Sequence, residues 1–241
     1  MNAQRIAASC GELGIDISQC LTVPGAATST YLFIADEQGD MALAVSDMEI
    51  YDHVTPAFLA GRARLLQNAQ VIVVDTNIPP ESIAWLAENV KLPIFADPVS
   101  TAKAEKLRPV LGRLHTLKPN RLEAELLSGV SITDQKSLDR AVDVLLDTGL
   151  RRVFVSLGGD GVYAADHQQR LHLPCCPGRM VNTTGCGDAA MAAITWAYLE
   201  GTGLEGTARA AMAAGAIAME RGETINPDMS ARSLKARAEQ L

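Results

Sequence analysis

From about residue 55 onward, short uninterrupted apolar runs alternate with stretches of helical composition. The runs are Val71-Ile72-Val73-Val74 ending at Asp75, Ile94-Phe95-Ala96 ending at Asp97-Pro98, Leu114 to Leu117, and Val153-Phe154-Val155. Helices are expected at Pro56 to Gln67, Glu81 to Asn89, Arg121 to Leu127 and Leu138 to Asp147. A strand that is apolar on both sides must be covered on both faces. Such runs, separated by helices, therefore specify an α/β fold with a mainly parallel sheet between two helical layers.

The flanks are different. Asn2 to Leu13 has helical composition and stops at Gly14. Cys20 to Val23, Thr30 to Ala35 and Met41 to Val45 are β-type runs, and the polar turn Asp36-Glu37-Gln38-Gly39-Asp40 joins the last two into a hairpin. Gly161 to Ala165 and Arg170 to Leu173 predict a second hairpin. Helices close the chain at about 187–200, 204–221 and 230–239. No repeat or linker divides the sequence, so a single domain over 1–241 is expected.

Composition excludes several classes of function. The formal net charge of −7 argues against nucleic acid as a partner. No apolar run approaches the roughly 18 residues of a membrane span, and Met1 to Glu12 holds no apolar segment of the secretory kind. The cysteines, Cys10, Cys20, Cys175, Cys176 and Cys186, are odd in number and form no CxxC pair. This predicts a reduced, cytoplasmic protein without a disulfide framework or structural zinc. His53, His115, His167 and His172 show no metal-binding spacing and no nucleophile partner.

In open parallel sheets, ligands bind beyond the carboxyl ends of the strands. Those ends carry Asp75-Thr76-Asn77, Asp97-Pro98, Lys118-Pro119-Asn120 and Ser156-Leu157-Gly158-Gly159. Asp75 and Asp97 serve either a ligand or the capping of the next helix. The strongest local signal is Asn182-Thr183-Thr184-Gly185-Cys186-Gly187-Asp188, which leads into a helix of small and apolar residues. Gly185 and Gly187 permit a close-approach loop, and the helix turns unpaired N–H groups and its positive dipole end toward it. That is an anion site suited to phosphate. Asp188 beside it is electrostatically costly unless it accepts a proton, although a helix cap is the competing role. Ser156 to Gly161 either brings backbone close to a nucleotide or makes an ordinary tight turn. Asn120 and Glu123 have the spacing of a capping box; their oxygens equally suit Mg²⁺ and its waters. Neither GxGxxG opening a helix nor GxxxxGK[ST] occurs.

Together, Asn120 to Glu123, Leu157 to Gly161 and Gly185-Cys186-Gly187-Asp188 resemble the NxxE motif, nucleotide turn and GAGD loop of the ribokinase-like, PfkB-type carbohydrate kinases. Leu21-Thr22-Val23-Pro24-Gly25, Thr116 to Glu125 and Asn226-Pro227-Asp228 look most like the pseudouridine-phosphorylating branch of that family. The resemblance implies a three-layer αβα fold with a small β lid, here the hairpin about 20–47. It also implies phosphoryl transfer from ATP with Mg²⁺ to a ribose 5′-hydroxyl, most similarly that of pseudouridine. Asp188 would be the general base, and the N–H groups of Gly185, Cys186 and Gly187 would face the moving phosphoryl group. Asn120 and Glu123 would serve the phosphates and the metal, with Glu123 acting through water. Ser156, Gly158, Gly161 and Gly215 would line the nucleotide. Thr28, Ser29 and Thr30 of the lid would reach a nucleoside or sugar.

Three departures from the pattern qualify what the resemblance implies. Cys186 stands where the family has alanine. Asn182 replaces an aspartate before the Thr-Thr pair, which bears on a monovalent-cation site. The family's first strand, early substrate-binding aspartate and Gly-Gly motif normally precede the helix at Asn2, and no counterpart is found. The first strands are therefore expected to be missing, with pairing into a homodimer through the lid or an exposed sheet edge. The alternatives are a kinase for another nucleoside or sugar, or a catalytically impaired remnant that binds nucleotide.

Overall fold

In the computed structural model, which describes residues 2–35 and 41–241, the alternating segment forms the predicted sheet between helices. Helix α1 (Asn2–Glu12) leads to the hairpin β1 (Thr30–Ala35) and β2 (Met41–Asp47). Then come α2 (Pro56–Ala60), α3 (Ala63–Gln67), β3 (Ile72–Asp75), α4 (Pro80–Asn89), β4 (Ile94–Asp97) and α5 (Thr101–Ala104). A 3₁₀ segment, Glu105–Arg113, precedes β5 (Thr116–Leu117), α6 (Arg121–Ser128), α7 (Gln135–Asp147) and β6 (Arg152–Ser156). The chain continues through β7 (Val162–Asp166), β8 (Arg170–Leu173), α8 (Cys186–Leu199), α9 (Leu204–Met219) and α10 (Ala231–Ala238).

The main sheet has the order β3-β4-β5-β6-β7-β8. The pairs from β3 to β6 are parallel, and β6-β7-β8 are antiparallel. Period-two alternation explains how each strand faces two cores. On β4, Ile94 and Ala96 join the larger core with α4, α6 and α7, whereas Phe95 points to the other face. On β6, Val153 and Val155 go one way and Phe154 the other. The second face is covered by α8 and α9, through Met191, Ile194, Leu204, Ala208 and Ala211. Alanine at Ala193, Ala197, Ala210, Ala213 and Ala214 gives α8, α9 and α10 a third shared core, which Leu234 enters from α10.

The structure corrects several boundaries. Cys20 to Val23 forms no strand: Pro24 has no amide donor, and Gly25 turns the chain at φ +80°. The paired part of the hairpin begins at Thr30, opposite Asp47. The turn expected at 36–40 lies outside the described residues. The helix expected over Pro56 to Gln67 breaks at Gly61-Arg62 into α2 and α3. Helix α7 starts three residues early because Asp134 and Ser137 form a capping box. No helix among the described residues is long and apolar enough to cross a membrane.

Candidate active site

The loop before α8 requires Gly185. Gly185 is the N-cap at φ +87°, and a Cβ there would stand 2.6 Å from the Thr224 carbonyl oxygen. Any other residue would meet both strain and backbone. Asn182 fixes the approach: its Oδ1 accepts from the Thr184 amide (2.9 Å) and its Nδ2 donates to Gly222 O (3.0 Å). The Cys186 amide is engaged with Thr183 O at 3.2 Å, so of the expected donors it is the one already committed to a turn. Its side chain lies away from the loop, with the thiol toward Gly215 O. Gly187 follows in the first turn, where helix geometry leaves amides without intrahelical acceptors.

Lys118 packs against that turn. A Cβ on Gly187 would lie 3.4 Å from Lys118 Nζ. The same ammonium is 2.9 Å from Asp97 Oδ2. Lys118 emerges from β5, tied by its amide to Ala96 O (3.1 Å), and Asp97 ends the neighbouring β4, so sheet register creates the pair. Asp188 keeps its carboxyl in contact with solvent while protein crowds its inner side. Burial raises its pKa first, the Asp97 and Asp75 charges raise it further, and Lys118 opposes them. The result is a carboxylate more basic than an ordinary aspartate. Cys186 is likewise pushed up, by burial and by Asp188, which keeps its thiol protonated.

Asn120 and Glu123 form a reciprocal capping box on α6. Asn120 Oδ1 accepts from the Glu123 amide at 2.9 Å, and Glu123 Oε2 accepts from the Asn120 amide at 2.8 Å. Glu123 is nevertheless buried beside Asp97 and Lys118, and burial is the main cause of its raised pKa. The cap thus holds a carboxylate near the Lys118–Asp97 pair. The capping reading of this motif is realised.

A cavity of about 440 Å³ opens beside the α8 loop. Ser156, Gly158, Gly161 and Gly215, expected to line a nucleotide, line it together with Lys118 and with Cys186 and Gly187, whose amides were expected to face the moving phosphoryl group. Gly161 sits at φ +92°, where a Cβ would stand 2.0 Å from Leu173 O, so the β6–β7 turn closes only with glycine. Gly215 differs: a Cβ there would meet nothing within 4 Å, so this glycine leaves the cavity wide rather than closing a contact. Ile194, Ala211, Met212, Ala216 and Met219 give the inner wall an apolar character suited to a planar base.

A second groove, of about 810 Å³ and lined by Asp188, runs along β3. Asp75, Asp97 and Asp188 lie at its polar end, and Val54, Leu59, Met191 and Trp196 are among its apolar walls. Asp75 Oδ1 accepts from the Asn77 amide (2.8 Å), and Asn77 Oδ1 holds the Lys103 ammonium at 2.6 Å. Thr28, Ser29 and Thr30 are not brought to either cavity. Ser29 Oγ lies 3.4 Å from the Tyr51 hydroxyl and Thr30 Oγ1 bonds Thr28 O, which fixes the base of the hairpin. Gly185, Asn120 and Glu123 likewise line neither cavity, although Glu123 lies close to the Lys118–Asp97 pair.

Lys118, Asp97 and Asp75 belong to the site although sequence motifs alone did not assign them. The signal was their position at the carboxyl ends of adjacent parallel strands. What sequence could not supply is the register that puts Lys118 and Asp97 in contact.

Residues 1–232 match the pfkB family of carbohydrate kinases. The chain is 37% identical over 230 residues to the pseudouridine kinase of Escherichia coli K12, covering 94% of this chain and 73% of that one. A solved structure from Clostridium perfringens superposes with a TM-score of 0.87 at 32% identity, covering 98% of this chain and 75% of that one. The ribokinase of Thermotoga maritima gives a TM-score of 0.85 at 22% identity, with 99% and 77% covered, and shares the fold.

Proposed function

This chain belongs to the pfkB family of carbohydrate kinases, and we propose that it transfers the γ-phosphoryl group of ATP to a ribose 5′-hydroxyl, with pseudouridine as the acceptor. The observation that carries this reading is the location of Asp188. It stands in the first turn of α8 and lines the groove that ends in carboxylates, while the two residues before it, Cys186 and Gly187, line the nucleotide-sized cavity. The 37% identity to a pseudouridine kinase supports the choice of acceptor.

In this mechanism the triphosphate lies along the glycine turn at Gly158 to Gly161 and reaches the first turn of α8. Asp188 accepts the proton of the acceptor hydroxyl as its oxygen bonds to the γ-phosphorus. The bond from that phosphorus to the bridging oxygen breaks in line, and ADP leaves. Lys118 and the Gly187 amide offset charge on the moving group, an electrostatic role that grows as water is excluded. The raised pKa of Asp188 makes it a better proton acceptor than a free aspartate.

The donor set fits Mg²⁺. No cluster of three or more His, Cys, Asp or Glu side chains among the described residues forms a cage for a metal. Mg²⁺ typically keeps several waters and takes one or two carboxylates plus phosphate oxygens, and Asp97 at the polar end of the groove, with the buried Glu123 close to it, offers two carboxylates. Bound there, the ion would neutralise phosphate charge. Glu123 would hold its waters, and the capping box keeps that carboxylate oriented.

The test is a coupled ADP-release assay with pseudouridine, uridine and free ribose. The highest kcat/KM is expected with pseudouridine. ADP release that is independent of acceptor, or turnover confined to another sugar, would overturn the assignment of substrate.

A further inference from the structure

One wall of the nucleotide cavity is an extended strap, residues 174–182, that belongs to no helix or strand. It contributes Cys175, Cys176, Gly178 and Met180 to the cavity lining. Such a segment has no ladder of its own to hold it. At its far end, the Val181 amide bonds Met219 O at 2.8 Å. Near its start, the Cys175 thiol reaches Gly158 O at 3.1 Å. Its middle is tied to α10, where the buried Cys176 thiol approaches Arg237 O at 4.0 Å and the Arg237 side chain grips the strap backbone. Arg237 of α10 donates through Nη1 to Pro177 O (2.7 Å) and through Nη2 to Glu220 Oε1 (2.7 Å).

Arg237 therefore spans the strap and the end of α9, which itself forms the apolar wall. Both partners are partly shielded, with side-chain exposures of 22% and 30%. A charge-assisted bond in that setting holds its geometry better than a fully exposed pair. Gly178 makes the approach feasible, since a Cβ there would stand 3.2 Å from Glu220 Oε1. Helix α10 is itself anchored, by Leu234 in the alanine core and by a Ser230 capping box. The fixed end of the clamp is thus a packed helix, and the movable end is the cavity wall.

We propose that Arg237 is a positioning residue for the nucleotide: through Pro177 O and Glu220 it sets the strap that walls the cavity, without touching the ligand. The proposal rests on the nucleotide reading of that cavity. Preorganising a wall that would otherwise order on binding strengthens affinity without changing the reacting groups.

The experiment is calorimetric titration of the full chain with MgADP, paired with tryptic cleavage after the strap residue Arg179. Arg237→Met should bind on the order of tenfold more weakly, the scale of one lost charge-assisted contact. It should be cleaved faster, with the excess suppressed by saturating MgADP. Arg237→Lys should recover part of the affinity, and kcat at saturating ATP should stay at the parental value. If Arg237→Met does not fold, Glu220→Gln, which leaves α10 intact, should weaken binding in the same direction. Parental affinity in a folded Arg237→Met, or in Glu220→Gln, would overturn the proposal while leaving the nucleotide reading intact. Absence of MgADP binding by the parent would overturn both.

Discussion

Lys118 Nζ lies 2.9 Å from Asp97 Oδ2, and the two side chains are only 9% and 16% exposed. The pair joins the ends of adjacent parallel strands, and the ammonium rests against the first turn of α8. One cation thus serves a largely shielded carboxylate and faces the place where an anion would bind. Its removal should be felt in stability as well as in chemistry.

For Lys118→Met, a loss of about 1–3 kcal/mol is expected, because a largely shielded carboxylate loses its charged partner and keeps only the Val99 amide. The double variant Lys118→Met with Asp97→Asn should recover most of that loss and none of the activity. Denaturant melts of the three proteins measure the first effect, and ADP release measures the second. Equal stability of Lys118→Met and parent would mean that the pair is not coupled.

Asp188→Asn separates catalysis from folding. Removal of a general base costs about 10²–10⁴-fold in rate. Burial and neighbouring carboxylates raise the pKa of Asp188, so its charged form is disfavoured in the folded chain. The folded state then binds more protons than the unfolded state above the ordinary value of 3.8, and stability falls as pH rises through the raised pKa. The asparagine variant should therefore melt at or above the parental temperature at pH 7. That advantage should vanish below about pH 4, where the acid is protonated in both states. A lower melting temperature at pH 7 would assign Asp188 a structural role instead.

His115 predicts a different pH response. It stacks on Phe95 at 5.3 Å between centroids and meets Tyr198 edge-on. Burial, then Arg152 and Arg151, lower its pKa to about 4. Because the folded value lies below the ordinary 6.5, the unfolded chain binds more protons between them, and stability is lost as pH falls from 6.5 toward 4. His115→Phe should flatten the melting-temperature profile across that window. An unchanged profile would show that other groups dominate acid unfolding.

Gly185→Ala should lower stability by about 1–3 kcal/mol from the left-handed backbone alone. The clash with Thr224 O should also displace the loop and weaken MgADP binding. Gly215→Ala is the control: it meets no atom within 4 Å, so it should fold normally and change only nucleotide affinity. A Gly185→Ala protein that binds MgADP like the parent would remove the close-approach argument.

Strand β3 is an edge of the described sheet, its Val73 is half exposed, and an apolar groove runs beside it. Sheet edges of this kind pair with other chains. Concentration-dependent association is expected in sedimentation, and Val73→Lys should weaken it. Identical behaviour of variant and parent would exclude this edge as the contact.

The sequence by itself determined the order of elements and the residues whose chemistry is local. Apolar runs such as Ile94-Phe95-Ala96 can only be buried strands, and Gly185-Cys186-Gly187-Asp188 can only help an anion if a helix follows it. Both properties depend on neighbours within a few positions, and so does the capping box of Asn120 and Glu123. Tertiary structure decided the rest. Contact between Lys118 and Asp97 depends on parallel register across β4 and β5, and the grip of Arg237 on Pro177 crosses 60 positions of sequence. The same applies to Cys20 to Val23, whose β-type composition forms no strand, and to Ser29 and Thr30, whose hydroxyls, the latter on the Thr28 carbonyl, brace a hairpin instead of reaching a cavity. Propensity is a property of the residue, whereas pairing and approach need a partner whose position only the folded chain sets.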